Sequence, residues 1–448
     1  MAISDSPQPI ARWDGRRRGV FHGWYILAAN CLVMGFSSGV TNYGATVFFN
    51  PVSHALGISR TVASLAIALA RAENTVLAPI VGYFIDRFGP RPPIITGMFL
   101  MGLGMICFGL FARNLLLFVV TWTFMVSLGA NIGGFAPNWA AINNWFNRKK
   151  GRAMGIGMAS QAMGGVILAP MLAFIISRWG WETGAVVTGI AIFVLVMPVT
   201  KLIRTRPQDM GLLPDGDPPE PSAASTAMLD ARQADGKPHA LVEMPGRNFT
   251  IKQAFKAHAF WLFMGALALR QMAQAGMVLH MSPMLQDRYG FTGVEAGVLV
   301  GILAAMGVVG ALSGGYISDL FQRRKVMGII VGLEAVSLFL LLLNELPLVY
   351  VFIVIFGFGQ GAHALNRAIL GEYFGNSHYA RLWGMLSMGT TPFAASGPVV
   401  AGWISDTSGY GAAIFVFMLL YGVSGLLYYN CRRPPIPVTS TAPRPSDS

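Results

Sequence analysis

The sequence predicts an all-α integral membrane protein, with twelve transmembrane helices in two six-helix halves that repeat one another in parallel. Three observations predict it. Apolar residues make up 54% of the 448 and charged residues only 12%, with a mean hydropathy of +0.55, whereas a soluble domain carries about 25% charged residues. Twelve apolar runs lie near 24–50, 60–84, 93–112, 115–142, 153–177, 183–203, 257–284, 292–318, 326–344, 347–371, 382–404 and 410–430. Each is long enough, at about 1.5 Å per residue, to cross a ~30 Å hydrocarbon layer. Finally, short stretches of the first six runs recur at corresponding places in the last six.

The tail 1–23 carries Arg12 and Arg16 to Arg18 ahead of an apolar run. That run continues to about Phe49 with no small-residue cleavage site after a short core, so it reads as an uncleaved first span. The second run opens at Ser59 and ends in Gly82-Tyr-Phe-Ile-Asp86-Arg87-Phe-Gly89-Pro90-Arg91. Gly82 admits a close helix neighbour, and Gly89-Pro90 forces a short turn into the third span. A weaker copy of this loop, Gly315-Tyr316-Ile-Ser-Asp319-Leu-Phe-Gln-Arg323-Arg324-Lys325, follows the eighth run. Trp145-Phe146, then Arg152-Ala-Met-Gly155, opens span five, as Tyr373-Phe374, then Arg381-Leu-Trp-Gly384, opens span eleven. Pro170 and Ser177 match Pro398 and Ser405 at the same offset of 228. These matches define halves 24–203 and 251–431. Between them, 204–250 is rich in Pro, Asp, Ala and Ser without apolar periodicity, which predicts a flexible linker; a tail, 432–448, closes the chain.

The net charge of +12 would suit a nucleic-acid partner, but its distribution does not. Of the 32 Lys and Arg, 25 fall in one set of loops and tails, 4 in the other set and 3 within spans. That asymmetry predicts that the basic set, including both termini, is cytoplasmic, as in a multi-pass protein of a bacterial inner membrane. Cys31, Cys107 and Cys431 show no metal spacing and no disulfide framework. No zinc, phosphate-loop or serine-elbow motif is present, so no enzyme activity and no cofactor are expected.

Charges inside spans cost several kcal/mol and are retained for partners or cavities. Arg71 and Glu73 lie about eleven residues into span two and Arg270 about thirteen into span seven, near the midplane in each case. Gln274 is one turn from Arg270 on the same face. Gln360, His363 and Arg367 form one stripe of span ten. Arg71 and Glu73 are about 200° apart round the helix, so one faces the cavity and the other a neighbour, in either order. Reading Glu73 as the only midplane carboxylate leaves surplus positive charge, which favours a small organic anion held by arginine's forked donors. Tyr43 and Asn42, Asn131 and Asn138, and Gln161 could add neutral hydrogen bonds. Glu73 is the candidate proton carrier. Of the lone histidines, His280 falls towards the outer end, where a hydrated surface position is expected.

The loop Gly82–Arg91 and its second copy resemble the signature of the major facilitator superfamily. His22-Gly-Trp24, Ser59-Arg60 and Asp86–Arg91 resemble its monocarboxylate and oxalate–formate transporter branch. The resemblance implies alternating access to a small-molecule site between the halves, in a protein acting as a monomer among membrane lipids. It also implies a latch in which Asp86, with Gly82, Arg87, Arg91 and Arg152, closes one side, and Asp319 does so in the second copy. That branch commonly uses a basic residue in span eight and, in some members, a lysine in span eleven. Neither is present within these spans, so Arg270 or Arg71 would have to substitute. The expectation is a proton-coupled carrier of a monocarboxylate-like anion. The alternative is a carrier of a neutral, aromatic or amphipathic solute, lined by groups such as Trp122, Phe135 and Trp139.

Overall fold

In a computed structural model, residues 21–146, 149–205, 207–210, 212, 215, 249–375 and 379–435 are described. The linker therefore falls largely outside the described residues, as do the side chains of Arg71, Asp86, His363 and Asp319. The described chain is helical throughout, as a lipid-dissolved backbone requires, because only a helix satisfies its own N–H and C=O groups segment by segment.

Nine helical stretches among the described residues are long and apolar enough to cross a membrane. Two of them, Arg152–Thr200 and Leu382–Asn430, are interrupted by Gly180 and Gly409, whose φ values of 84° and 79° only glycine adopts without strain. Dividing these two and adding the long helix Arg60–Phe88 lines the helices up with the twelve apolar runs. They are labelled α1 (His22–Leu56), α2 (Arg60–Phe88), α3 (Arg91–Phe111), α4 (Leu115–Trp145), α5 (150–179) and α6 (181–200) in the first half. In the second they are α7 (His258–Leu279), α8 (Gly293–Leu320), α9 (Arg323–Leu342), α10 (Leu346–Phe374), α11 (379–408) and α12 (410–430).

Local chemistry starts these helices where the pattern ends. Ser59 accepts from the Val62 N–H at the start of α2, and Asn114 from the Leu117 N–H at the start of α4. Thr292 and Glu295 form a reciprocal capping box at α8. α1 and α4 carry π-helical turns, Gly39–Gly44 in α1 and Trp122–Ser127 and Asn131–Phe135 in α4. Such turns redirect side chains and recur at functional positions. The turn in α1 carries Asn42 and Tyr43.

The halves meet along α2 with α11 and α5 with α8. Towards the end opposite the basic loops this junction is tight. A Cβ on Gly402 of α11 would meet the Arg60 carbonyl at 2.8 Å, and one on Gly301 of α8 would meet the Val166 carbonyl of α5 at 3.2 Å. Small residues let backbones approach this closely. At the basic end, by contrast, no atom of the described residues outside the glycine's own stretch of helix comes within 4 Å of the Cβ positions of Gly82, Gly155 or Gly384. Among the described residues the junction glycines are therefore tightly packed at one end and uncrowded at the other.

Candidate functional site

A cavity of about 550 Å³ lies between the halves. The first half contributes Ser38, Asn42 and Tyr43 from α1 and Gln161 from α5; the second contributes Gln271 and Gln274 from α7 and Gln360 from α10. Its other walls are small or apolar, including Met158, Leu303 and Gly307. Asn42 donates to Ser38 at 3.2 Å, and the Gln274 amide nitrogen donates to the Gln360 amide oxygen. Hydroxyl and amide groups of both halves thus face one space, in an arrangement suited to orienting a polar solute by several donors and acceptors. Because Gly155 lines it, the cavity extends towards the basic end.

The opposite end is sealed by polar contacts across the junction. Arg60 of α2 reaches Asp287 at 2.5 Å and Asp406 at 3.9 Å, and its guanidinium lies 5.1 Å from the centre of the Tyr410 ring. Asp406 also accepts from the Thr61 N–H at 2.9 Å and hydroxyl at 2.7 Å, while Asn50 donates to Asp287 at 3.1 Å. Beneath this layer His280 is buried, with Ser64 at 2.8 Å, Tyr410 at 3.1 Å and the Pro398 carbonyl at 3.1 Å. The expected hydrated surface position of His280 is thereby corrected. It follows the last residue of α7, where packing against α2, α11 and α12 excludes water.

Arg270 occupies a different position from the one its sequence context suggests. It is fully buried, donates through Nε and Nη2 to the two Glu334 oxygens at 3.0 Å each, and through Nη2 to the Gly359 carbonyl at 2.7 Å. Glu334 is the twelfth residue of the 20-residue α9 and is equally buried. The reading of Glu73 as the only midplane carboxylate is therefore corrected, and the surplus positive charge shrinks by one. Nothing in its own span marks the partner of Arg270. The available signal was Glu334 itself, a single carboxylate in an otherwise apolar run.

The other expected residues are dispersed. Tyr43, Gln161, Gln274 and Gln360 line the cavity. Asn131 is half-buried in its π-helical turn and is not part of the lining, while Asn138 is buried and donates to the Gly133 carbonyl at 2.7 Å. Glu73 is half-buried in α2, and its carboxylate oxygens, shielded from solvent, accept no hydrogen bond. Arg367 is exposed, 5.5 Å from the Trp383 ring centre. Of the expected latch, Arg87 donates to Tyr83 at 2.7 Å, Arg152 lies 5.8 Å from the Trp24 ring centre, and Arg91 is half-buried at the start of α3. Trp122 packs in an aromatic core with Phe48 and Phe108, away from the cavity.

Comparison with known proteins adds relatives over the whole length. The family model described as Major Facilitator Superfamily matches residues 31–322 and 308–446. The oxalate:formate antiporter of Oxalobacter formigenes is 24% identical over 407 residues, covering 88% of this chain and 87% of that protein. Monocarboxylate transporter 11 of Homo sapiens is 25% identical over 441 residues, covering 95% and 84%. Among solved structures, a bacterial homologue of the human lysosomal transporter Spinster superposes with a TM-score of 0.71 at 16% identity, covering 92% of this chain and 97% of that one.

Proposed function

The chain belongs to the major facilitator superfamily, and on that premise we propose that it is a secondary transporter of a small organic anion, a carboxylate, coupled to protons. The transport reading is carried by one observation: a cavity lined from both halves, sealed at one end by the Arg60 contacts and flanked at the other by uncrowded junction glycines. This is one state of an alternating-access carrier. With the basic loops on the cytoplasmic side, by the bias of Lys and Arg, the state is inward-open. The substrate class is supported by the printed names of the relatives, which include an oxalate:formate antiporter and a monocarboxylate transporter.

In this reading the amides and hydroxyls of Asn42, Tyr43, Gln161, Gln274 and Gln360 orient the solute. Arg71 supplies the positive charge, since Arg270 is held by Glu334. The latch of Asp86 with the arginines of the basic loops, and Asp319 in the second copy, belongs to the inward-closed state. A second reading, a neutral or amphipathic solute, is favoured by the cavity itself, whose described lining carries no charged side chain.

An anion moving inward against an inside-negative potential needs a companion cation, and a proton on Glu73 meets that need. Its carboxylate oxygens are shielded from solvent and have no hydrogen-bond donor among the described residues, which leaves them free to take a transported proton. Proteoliposomes test both points. The wild type is expected to accumulate labelled oxalate or formate when the outside is acidified. Glu73→Gln should lose that accumulation and keep exchange between equally loaded sides. Accumulation retained in Glu73→Gln removes the proton role, and failure of the wild type to move either anion favours the neutral-solute reading.

A further inference from the structure

Helix α10 is not continuous. It is helical over Leu346–Gln360, passes through a turn at 361–362, and resumes over His363–Phe374. The turn closes with Gly361 N–H to the Phe358 carbonyl at 3.2 Å and Ala362 N–H to the Gly359 carbonyl at 3.0 Å. Interrupted membrane helices leave backbone groups that must be satisfied from neighbouring elements. Here the Gly359 carbonyl, which already accepts the Ala362 N–H within the turn, takes a second donor from Arg270 Nη2, whose guanidinium also holds Glu334. Two glycines make the fit possible. A Cβ at Gly359 would overlap the Glu334 carboxylate, and a Cβ at Gly361 would overlap the backbone of α8 at Gly310 and Ala311.

Gln360 stands between these glycines, and its side chain faces the other way, into the cavity. Its amide oxygen is engaged by Gln274, one turn along α7 from Arg270. Helix α7 therefore holds the turn from behind, together with α9, and by itself fixes the amide in front. A buried ion pair stabilises a fold poorly compared with apolar residues of equal volume. Its presence behind an interruption of a cavity-lining helix calls for a positional role.

We propose that Arg270 and Glu334 are positioning residues that hold the interruption of α10 so that Gln360 presents its amide to the transported solute. This rests on the transporter reading and adds to it a route by which two residues that never touch the solute set its affinity. Removal of both charges should leave a folded protein with a loose turn. The probe is oxalate or formate, and the readout separates half-saturating concentration from maximal rate.

Arg270→Met with Glu334→Leu is expected to fold and to raise the half-saturating concentration at least tenfold, with the maximal rate within about twofold of wild type. Adding Gln360→Ala should then cost nothing further, because both changes act through one side chain. Wild-type affinity in the double variant, or a fully additive loss on adding Gln360→Ala, overturns the proposal. Should the double variant not fold, Arg270→Lys, which keeps the charge and loses the fork, is held to the same two outcomes. Amide exchange in the protein without solute separates this from the substrate question. The Gly361 and Ala362 amides should exchange at least tenfold faster in either variant than in wild type, and equal rates overturn the proposal whatever the wild type transports.

Discussion

Arg270→Gln is expected to destabilise the protein by about 3–5 kcal/mol, the usual cost of removing one partner from a buried ion pair. The loss comes from the partner left behind. Glu334 is fully buried, and its two oxygens are held by Arg270. Glutamine cannot neutralise it, so the carboxylate must remain charged without a counter-ion or take up a proton. The Gly359 carbonyl also loses a donor, but one hydrogen bond from a charged donor is worth about 1.5–3 kcal/mol, so the unpaired carboxylate decides the outcome. Thermal melting of the purified protein in detergent checks this. A large fall in Arg270→Gln, mostly recovered when Glu334 is changed to Gln as well, is the expected pattern. An unshifted melting temperature in the single variant would contradict the buried pair.

The same residue marks where local pattern stops determining position. Run lengths, the Gly82–Arg91 loop and the offset of 228 made the helices and their repeat legible, because they depend on local composition and spacing. The cavity residues Tyr43, Gln161, Gln274 and Gln360 were legible as candidates because an amide or phenol deep in an apolar run needs a partner. Helix rotation was not legible. Arg270 and Gln274 share a face by spacing, yet Arg270 points at α9 while Gln274 reaches the cavity edge. The seal of Arg60, Asp287 and Asp406 was equally hidden, since its members lie 227 and 346 residues apart. Each of them alone reads as an ordinary charge at a helix end.

The second large effect is expected from Gly402→Val. The closed junction places the Arg60 carbonyl 2.8 Å and the Ser64 hydroxyl oxygen 2.9 Å from where a Cβ would stand. Overpacking of this kind costs about 1–3 kcal/mol, and here it falls on one conformation only, because parting the halves removes the clash. Each 1.4 kcal/mol shifts a two-state balance about tenfold, so the outward-open population should rise about 5- to 150-fold. Removing Arg60 should do less, since partly exposed ion pairs are worth about 0–1 kcal/mol each. The reporter is Ser282→Cys in a protein whose Cys31, Cys107 and Cys431 have been replaced. Ser282 is fully buried at the junction, where its N–H donates to Thr46 at 3.0 Å. A membrane-impermeant maleimide added outside should label it slowly in the parent and at least tenfold faster with Gly402→Val. Equal labelling would mean that this contact does not hold the outer side shut.

Counterflow tests carboxylate transport most directly. Proteoliposomes loaded with unlabelled oxalate or formate, and exposed to a trace of the labelled anion outside, should take up label transiently. Empty vesicles should not, and neither should loaded vesicles carrying Arg71→Gln. Counterflow of the carboxylate by the wild type, lost when Arg71 loses its charge, is the result this account predicts. Absence of carboxylate counterflow in a protein that binds and moves a neutral solute, with Arg71→Gln fully active, would contradict it.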